Sequence, residues 1–227
     1  MRDLGKVILH IPAREGSKRV PKKNIRLMNN RPMISYTIDA SIKANITNEM
    51  YVNTDANEVI DYVLNTYPTF KIYKRDKKLA EDKASSEDFN YDIIEQLHAD
   101  TLIMINPVCP LISSEDILNA FEAYKNSDYD TLITSSSTQM QTFCEGKAIN
   151  IKTNEPLAPS QDNEKISILN WAITIWDAKK FMKSVENKGY GSLGQNRVFF
   201  DIDPIHAIKV SEEKDFLLAE KLLKIEV

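Results

Sequence analysis

The stretch AREGSKRVPKKN at residues 13–24 places Arg14, Lys18, Arg19, Lys22 and Lys23 in one short loop. It follows the apolar run of residues 7–11, and Gly16, Ser17 and Pro21 shape its turn. A strand ending in a basic, glycine-containing loop is one way α/β proteins hold phosphate, because backbone N–H groups and side-chain cations converge at the carboxyl end of the sheet. A solvated surface loop also carries such charges. Three features favour phosphate. The charges come straight after the first strand, where open α/β sheets bind ligands. Pro12 and Pro21 stiffen the loop. The chain as a whole is acidic, with a net charge of −4, so the cluster stands against its background. The loop is neither G-x-G-x-x-G nor a Walker A sequence, since no Gly-Lys-Ser/Thr occurs in it.

The elements that must position this loop follow a β-then-α rhythm. Apolar runs predict strands at 6–12, 50–54, 70–74, 101–105, 131–134, 170–176 and 207–210. Helical spacing predicts helices at 32–44, 56–67, 85–97, 114–126, 178–185 and 212–225, with Ser85 or Ser86 capping the third and Asp88 in its first turn. This alternation implies an α/β fold: a Rossmann-like, three-layer α/β/α arrangement around a mostly parallel sheet. The rhythm breaks at 138–169. Residues 143–151 read as a hairpin turning at Glu145-Gly146, and 152–165 are polar and interrupted by Pro156 and Pro159. Such an excursion between sheet strands forms a lid or a subunit contact. The expectation is one domain over 1–227 with this excursion inserted, and a flexible loop at 188–194.

A chain of 227 residues with 42% hydrophobic content suffices for one full core. No apolar run approaches a membrane span, and the N-terminus lacks signal-peptide architecture. The 2 cysteines, Cys109 and Cys144, suggest neither a disulfide framework nor a zinc site. Mild acidity argues against general nucleic-acid binding. The expected setting is the cytoplasm.

The segment IPAREGSKRVPKKN at 11–24 resembles the signature of the CMP-N-acetylneuraminate synthetases, the acylneuraminate cytidylyltransferases. A second block, Lys74-Arg75 followed by LAEDKASS at 79–86, resembles that family's R-P…L-A-x-D-x-A-S-S. The resemblance implies a cytidylyltransferase that joins CMP from CTP to a sugar acceptor and releases pyrophosphate. The acceptor would be an acidic or otherwise unusual bacterial surface sugar. It implies that Ala13, Arg14, Gly16, Ser17, Lys18, Lys23 and Asn24 hold the triphosphate or ribose, with Arg14 and Lys23 stabilising the charge that develops during transfer. Arg75, Ala84 and Ser86 would read the cytosine. Arg19 and Lys22 are read as solvent-exposed, and Asn53-Thr54-Asp55 as structural. The resemblance also implies a homodimer through 138–169. The partners are then CTP and a small sugar, not nucleic acid or a membrane. Alternatives are another acceptor or nucleotide, or a homologue that binds nucleotide without turnover.

The acceptor half departs from the family pattern. Asn106-Pro-Val-Cys-Pro-Leu-Ile112 stands where the family has Q-P-T-S-P-L-R, and Ile168-Leu-Asn-Trp-Ala-Ile-Thr174 where it has R-P-N-G-A-I-Y. Asn106 and Asn170 remain as acceptor-binding candidates. The lost arginines matter because a guanidinium matches a carboxylate with two bonds. Near the end, Lys209 and Ser211 stand where the family has the aspartates that bind Mg²⁺. Asp201 and Asp203 form a similar Asp-x-Asp eight residues earlier; on a strand they would share one face and offer hard oxygens to Mg²⁺. Lys209 could instead supply charge near the triphosphate. His10 reads as a core residue, His98 as closing a helix, and His206 as a proton carrier or a packed residue.

Overall fold

A computed structural model of the chain describes residues 2–225; Met1, Glu226 and Val227 of the expected domain lie outside them. Side chains alternate between the two faces along the near-continuous apolar run of β1 (Val7–Pro12), so Leu9 and Ile11 enter one core layer and Ile8 the other. A small hairpin follows, β2 (Leu27–Met28) and β3 (Arg31–Pro32). Its turn residues Asn29 and Asn30 both have positive φ, a conformation that asparagine tolerates. Then come α1 (Ile34–Ala44), β4 (Met50–Thr54), α2 (Asn57–Thr66), β5 (Lys71–Lys74), α3 (Ser86–Leu97), β6 (Thr101–Ile105), α4 (Ser114–Lys125) and β7 (Thr131–Thr138). Capping boxes start α3 and α4: Ser85 with Asp88, and Ser113 with Asp116.

The chain leaves the sheet over residues 139–165, a shorter stretch than the expected 138–169 because β7 and β10 pair out to Thr138 and Ile166. It holds a two-residue-strand hairpin, β8 (Phe143–Cys144) and β9 (Lys147–Ala148), around the expected Glu145-Gly146 turn. The chain returns as β10 (Ile166–Asp177), longer than expected, then α5 (Ala178–Lys188), β11 (Arg197–Asp201) and α6 (Glu213–Leu222). The seven-stranded sheet has the order β11-β7-β10-β6-β1-β4-β5. Within this sheet, among the described residues, β10 alone runs antiparallel to both neighbours. Leu9, Ile38, Val59, Ile117 and Ile173 belong to the layer shared with α1, α2 and α4. Ile8, Ile93, Leu102, Trp176 and Phe181 form the opposite layer with α3 and α5.

Two expectations are corrected. Residues 207–210 are not a strand: Pro204–Ala207 turn, and Val210 donates its N–H to Val108 O at 2.8 Å. The sheet edge beside β7 belongs to β11 instead. The Asp130 carboxylate accepts the Asn196 N–H at 3.0 Å. Gly194, at φ +61°, lets the chain pass where a Cβ would stand 2.0 Å from Thr131 Oγ1. The second correction concerns the Asp-x-Asp: β11 ends at Asp201, so Asp203 lies in the following turn and the two carboxylates do not share a strand face.

His10 is a core residue, wholly buried, with its ring edge-on to Phe89 at 6.3 Å. Burial, helped by the nearby Arg75 charge, lowers its pKa from 6.5 to about 3. The folded imidazole therefore stays neutral where the unfolded one gains a proton. Its contribution is complete above pH 6.5 and is lost progressively as pH falls toward 3. Urea unfolding at pH 6.5 and pH 5 is expected to show a loss of roughly 2 kcal/mol from this group. His10→Leu should flatten that slope; an unchanged slope in the variant would refute the assignment.

Candidate nucleotide site

β1 and β6 are adjacent, yet their following segments lead to opposite halves of the sheet, β4 on one side and β7 on the other. That is a switch point, where a crevice opens at the carboxyl ends of the strands. The loop at 13–24 occupies it. Ala13 N–H donates to Asn53 O at 2.9 Å, Glu15 N–H to Asp55 Oδ1 at 2.9 Å, and Asn24 Nδ2 to Arg14 O at 3.1 Å. Val20 is buried with Met28, Met33, Val210 and Phe216, so the loop is tied to the β2–β3 hairpin and to α6.

Two cavities meet along Pro12 and Arg14. The first, of about 440 Å³, is lined by Gly16, Ser17, Lys18, Arg19, Lys23 and Asn24, with Pro107 and Val108 opposite. A Cβ on Gly16 would meet nothing within 4 Å, so the glycine leaves open space there. Burial, then the charges of Arg19, Lys209 and Arg14, lower the pKa of Lys23, whose Nζ donates to Val210 O at 2.9 Å. Crowded cations of this kind are stabilised by an anion. Asp82 partly meets that demand, with Oδ1 3.2 Å from Arg14 Nη2 and Oδ2 paired to Lys18. Arg14 Nη1 also donates to Ala80 O at 3.2 Å, which folds the 79–86 block against the basic loop. Lys22 is drawn aside by Glu58, at 2.5 Å. Arg19, read as merely exposed, is exposed and also lines the cavity.

The second cavity, of about 310 Å³, is lined by Arg75, Ser86, Phe89, Asn106, Trp171 and Lys209, with Met104 at its floor. Arg75 is buried. Its Nε donates to Asn53 Oδ1 at 2.7 Å and its Nη2 to Asn53 O at 3.0 Å, and its guanidinium lies 4.3 Å from the Phe89 ring centre. Burial lowers its pKa to about 10. Asn53 thus has the structural role expected of it. Ser86 begins α3, and Ala84 closes the preceding turn by donating its N–H to Glu81 O. Phe89, one helical turn after Ser86, was not anticipated as a cavity residue; its i+3 spacing from Ser86 was the available signal.

The acceptor candidates divide. Asn106 lines the second cavity, and its Oδ1 accepts the Val108 N–H at 3.3 Å. Asn170 is engaged elsewhere: Oδ1 accepts from Thr134 Oγ1 at 2.6 Å and from Ala172 N–H at 3.1 Å, and Nδ2 donates to Ser136 Oγ. These bonds hold a bulge in β10 at which Trp171 adopts φ +59°, an uncommon conformation for a bulky residue. Trp171, rather than Asn170, reaches the cavity. Cys109 is a packed thiol whose pKa burial pushes up to about 12. His206 Nδ1 lies 2.7 Å from Asp116 Oδ2, away from both cavities.

The metal candidates do not converge. Asp201 Oδ1 accepts from Ser135 Oγ at 2.7 Å, and Asp203 Oδ1 from the Ile205 N–H at 2.8 Å. Ser211 donates its N–H to Asp215 Oδ2 at 2.9 Å, at the start of α6. Among the described residues no group of three or more His, Cys, Asp or Glu side chains could hold a metal ion. Neither cavity is lined by a carboxylate. The cations that line this crevice suit an anion, and the carboxylate that adjoins it, Asp82, is paired to Arg14 and Lys18.

A doubly covered, mostly parallel sheet with a cation-lined crevice at its switch point defines a nucleotide-binding α/β class. Residues 8–199 match the cytidylyltransferase family model, and the chain belongs to that family. It is 26% identical over 233 aligned residues to the CMP-N,N'-diacetyllegionaminic acid synthase of Legionella pneumophila, covering 97% of each chain. It is 28% identical to the post-translational flagellin modification protein B of Campylobacter coli, over 97% of this chain and 96% of that one. Among solved structures, a CMP:2-keto-3-deoxy-manno-octonic acid synthetase complexed with CTP shares the fold, with a TM-score of 0.69 at 15% identity, over 98% of this chain and 100% of that one.

Proposed function

We propose that this cytidylyltransferase transfers CMP from CTP to a bacterial surface sugar of the acidic kind named in its relatives, releasing pyrophosphate. The observation that carries the reading is the pair of cavities meeting at Arg14. One is lined by Lys18, Arg19 and Lys23, and the other by Arg75, Ser86 and Asn106. The first suits the triphosphate, with the backbone from Ala13 to Ser17 and Asn24 shaping it. The second suits the cytosine, read by Arg75, Ser86 and the backbone near Ala84, with the acceptor entering past Asn106 and Trp171. Asn170 serves by holding the Trp171 bulge. In the transfer an acceptor hydroxyl oxygen bonds to the α-phosphorus. The bond to the bridging oxygen breaks, pyrophosphate leaves with the electron pair, and the hydroxyl proton passes to water. Arg14 and Lys23 stabilise the charge that builds on the phosphates. Any Mg²⁺ would arrive with the nucleotide rather than on Asp201 or Asp203.

The direct test is pyrophosphate release with CTP, ATP, GTP and UTP against a panel of sugar acids. CTP-selective release supports the reading. CTP binding without release from any acceptor would favour a nucleotide-binding homologue, and no nucleotide binding would refute the site.

The excursion exposes Met140, Phe143, Ile149 and Leu157, and the start of β10 beside it exposes Ile168. An apolar surface of this kind suits a subunit contact, and the proposed assembly is a homodimer. Light scattering after size exclusion should give a dimer for the wild type and a monomer for Phe143→Glu/Leu157→Glu. A monomeric wild type would overturn this. No described helix is long and apolar enough to cross a membrane, and the reading places the enzyme in the cytoplasm beside its small-molecule substrates.

A further inference from the structure

We propose that Lys209 supplies, as a fixed side-chain cation, the charge that neutralises the α-phosphate region, so that CTP binds without a protein-held metal; this rests on the cytidylyltransferase reading above. A CTP triphosphate brings several negative charges into one crevice. The crevice presents Arg14, Lys18, Arg19, Lys23, Arg75 and Lys209 with no carboxylate among its lining residues. The adjoining carboxylate, Asp82, is already paired to Arg14 and Lys18. Among the described residues no group of three or more His, Cys, Asp or Glu side chains gathers there, and the lining cations would repel a divalent ion.

Lys209 is placed by structure on both sides of it. Val210 is fully buried beside Val20 and Phe216. Its N–H donates to Val108 O at 2.8 Å, and its carbonyl accepts from Lys23 Nζ at 2.9 Å. The backbone of residue 210 is thus clamped between the wall of the first cavity and the basic loop. Lys209 lines the second cavity together with Arg14, which borders both. Its charge acts on Lys23, in the first cavity, and on Cys109 beneath. A cation at this junction lies where the α-phosphate must lie if the base enters one cavity and the β- and γ-phosphates the other. The exposed Lys209 side chain can meet a phosphate oxygen without prior desolvation.

Calorimetric titration of CTP tests this with wild type, Lys209→Ala and Lys209→Arg, each in EDTA and in excess Mg²⁺, with circular dichroism to verify folding. Wild type is expected to bind CTP in EDTA within about threefold of its Mg²⁺ affinity. Lys209→Ala should bind roughly 10- to 100-fold more weakly in EDTA, the range for losing one charge-assisted contact. Lys209→Arg should retain most of the affinity, because the charge is kept. Wild-type binding that requires Mg²⁺, or equal affinities of wild type and Lys209→Ala in EDTA, would overturn the role of Lys209 and leave the cytidylyltransferase reading standing. Absence of CTP binding by wild type under both conditions would overturn both.

Discussion

Arg14→Ala is expected to lower kcat/KM for CTP by about 10²- to 10³-fold, the cost of removing one preorganised donor from a site of developing charge. Arg14 is the cation that borders both cavities. Its guanidinium is held in the free protein by Asp82 and by the Ala80 carbonyl, each at 3.2 Å. A bound triphosphate would compete with Asp82 for it, exchanging one exposed ion pair for contacts that strengthen as the pyrophosphate leaves. The exposed pair itself contributes little to stability, so the variant should fold and melt as the wild type does. Arg14→Lys should recover only part of the rate, because an ammonium cannot present two parallel donors. Lys22→Ala is the control: its side chain is paired to Glu58, outside the two cavities, and a loss below threefold is expected. Steady-state pyrophosphate release measures all three. A loss under about fivefold for Arg14→Ala would remove Arg14 from the reaction.

The second large effect is on stability. Trp176→Ala is expected to destabilise the fold by about 3–5 kcal/mol, lowering Tm by roughly 10 °C in a chain of this size. Trp176 is 1% exposed, in β10, with its ring 5.5 Å from that of Phe181 on α5. Its loss would open a cavity that neither sheet nor helix can close. The indole also reaches toward the site. Nε1 donates to Ser192 O at 2.9 Å, and Ser192 Oγ donates to Glu87 Oε1 at 2.7 Å, beside Ser86. Trp176→Phe keeps most of the apolar volume and removes the donor. It should cost less stability than alanine but still weaken CTP binding, through the start of α3. Denaturant unfolding paired with CTP titration separates the two effects. If Trp176→Phe bound CTP like the wild type, the connection to Ser86 would be unsupported.

Much of the architecture was readable from local signals. Alternating or continuous apolar residues mark β1, β4, β6 and β7, and Ser-x-x-Asp boxes mark where α3 and α4 begin. Such signals act within a few residues, so they survive without knowledge of neighbours. The basic loop belongs to the same category, since its charges directly follow β1 and the end of a parallel strand is where such sheets bind ligands. Other features depended on chain segments far apart. Residues 197–201, with exposed positions alternating along them, took the sheet edge that the apolar 207–210 run was expected to fill, because Asp130 and Gly194 deliver them there. Asn170 looked like a substrate ligand, yet its amide meets Thr134 and Ser136 of the neighbouring strand and turns Trp171 into the cavity instead. Lys209 stands out in the sequence only by the aspartate it replaces in the family pattern; the clamp on Val210 is what sets its charge within reach of Lys23. Periodicity and capping are properties of adjacent residues. Which side chain faces the crevice is decided by register and by contacts closed only when distant strands pair, and no local pattern encodes those.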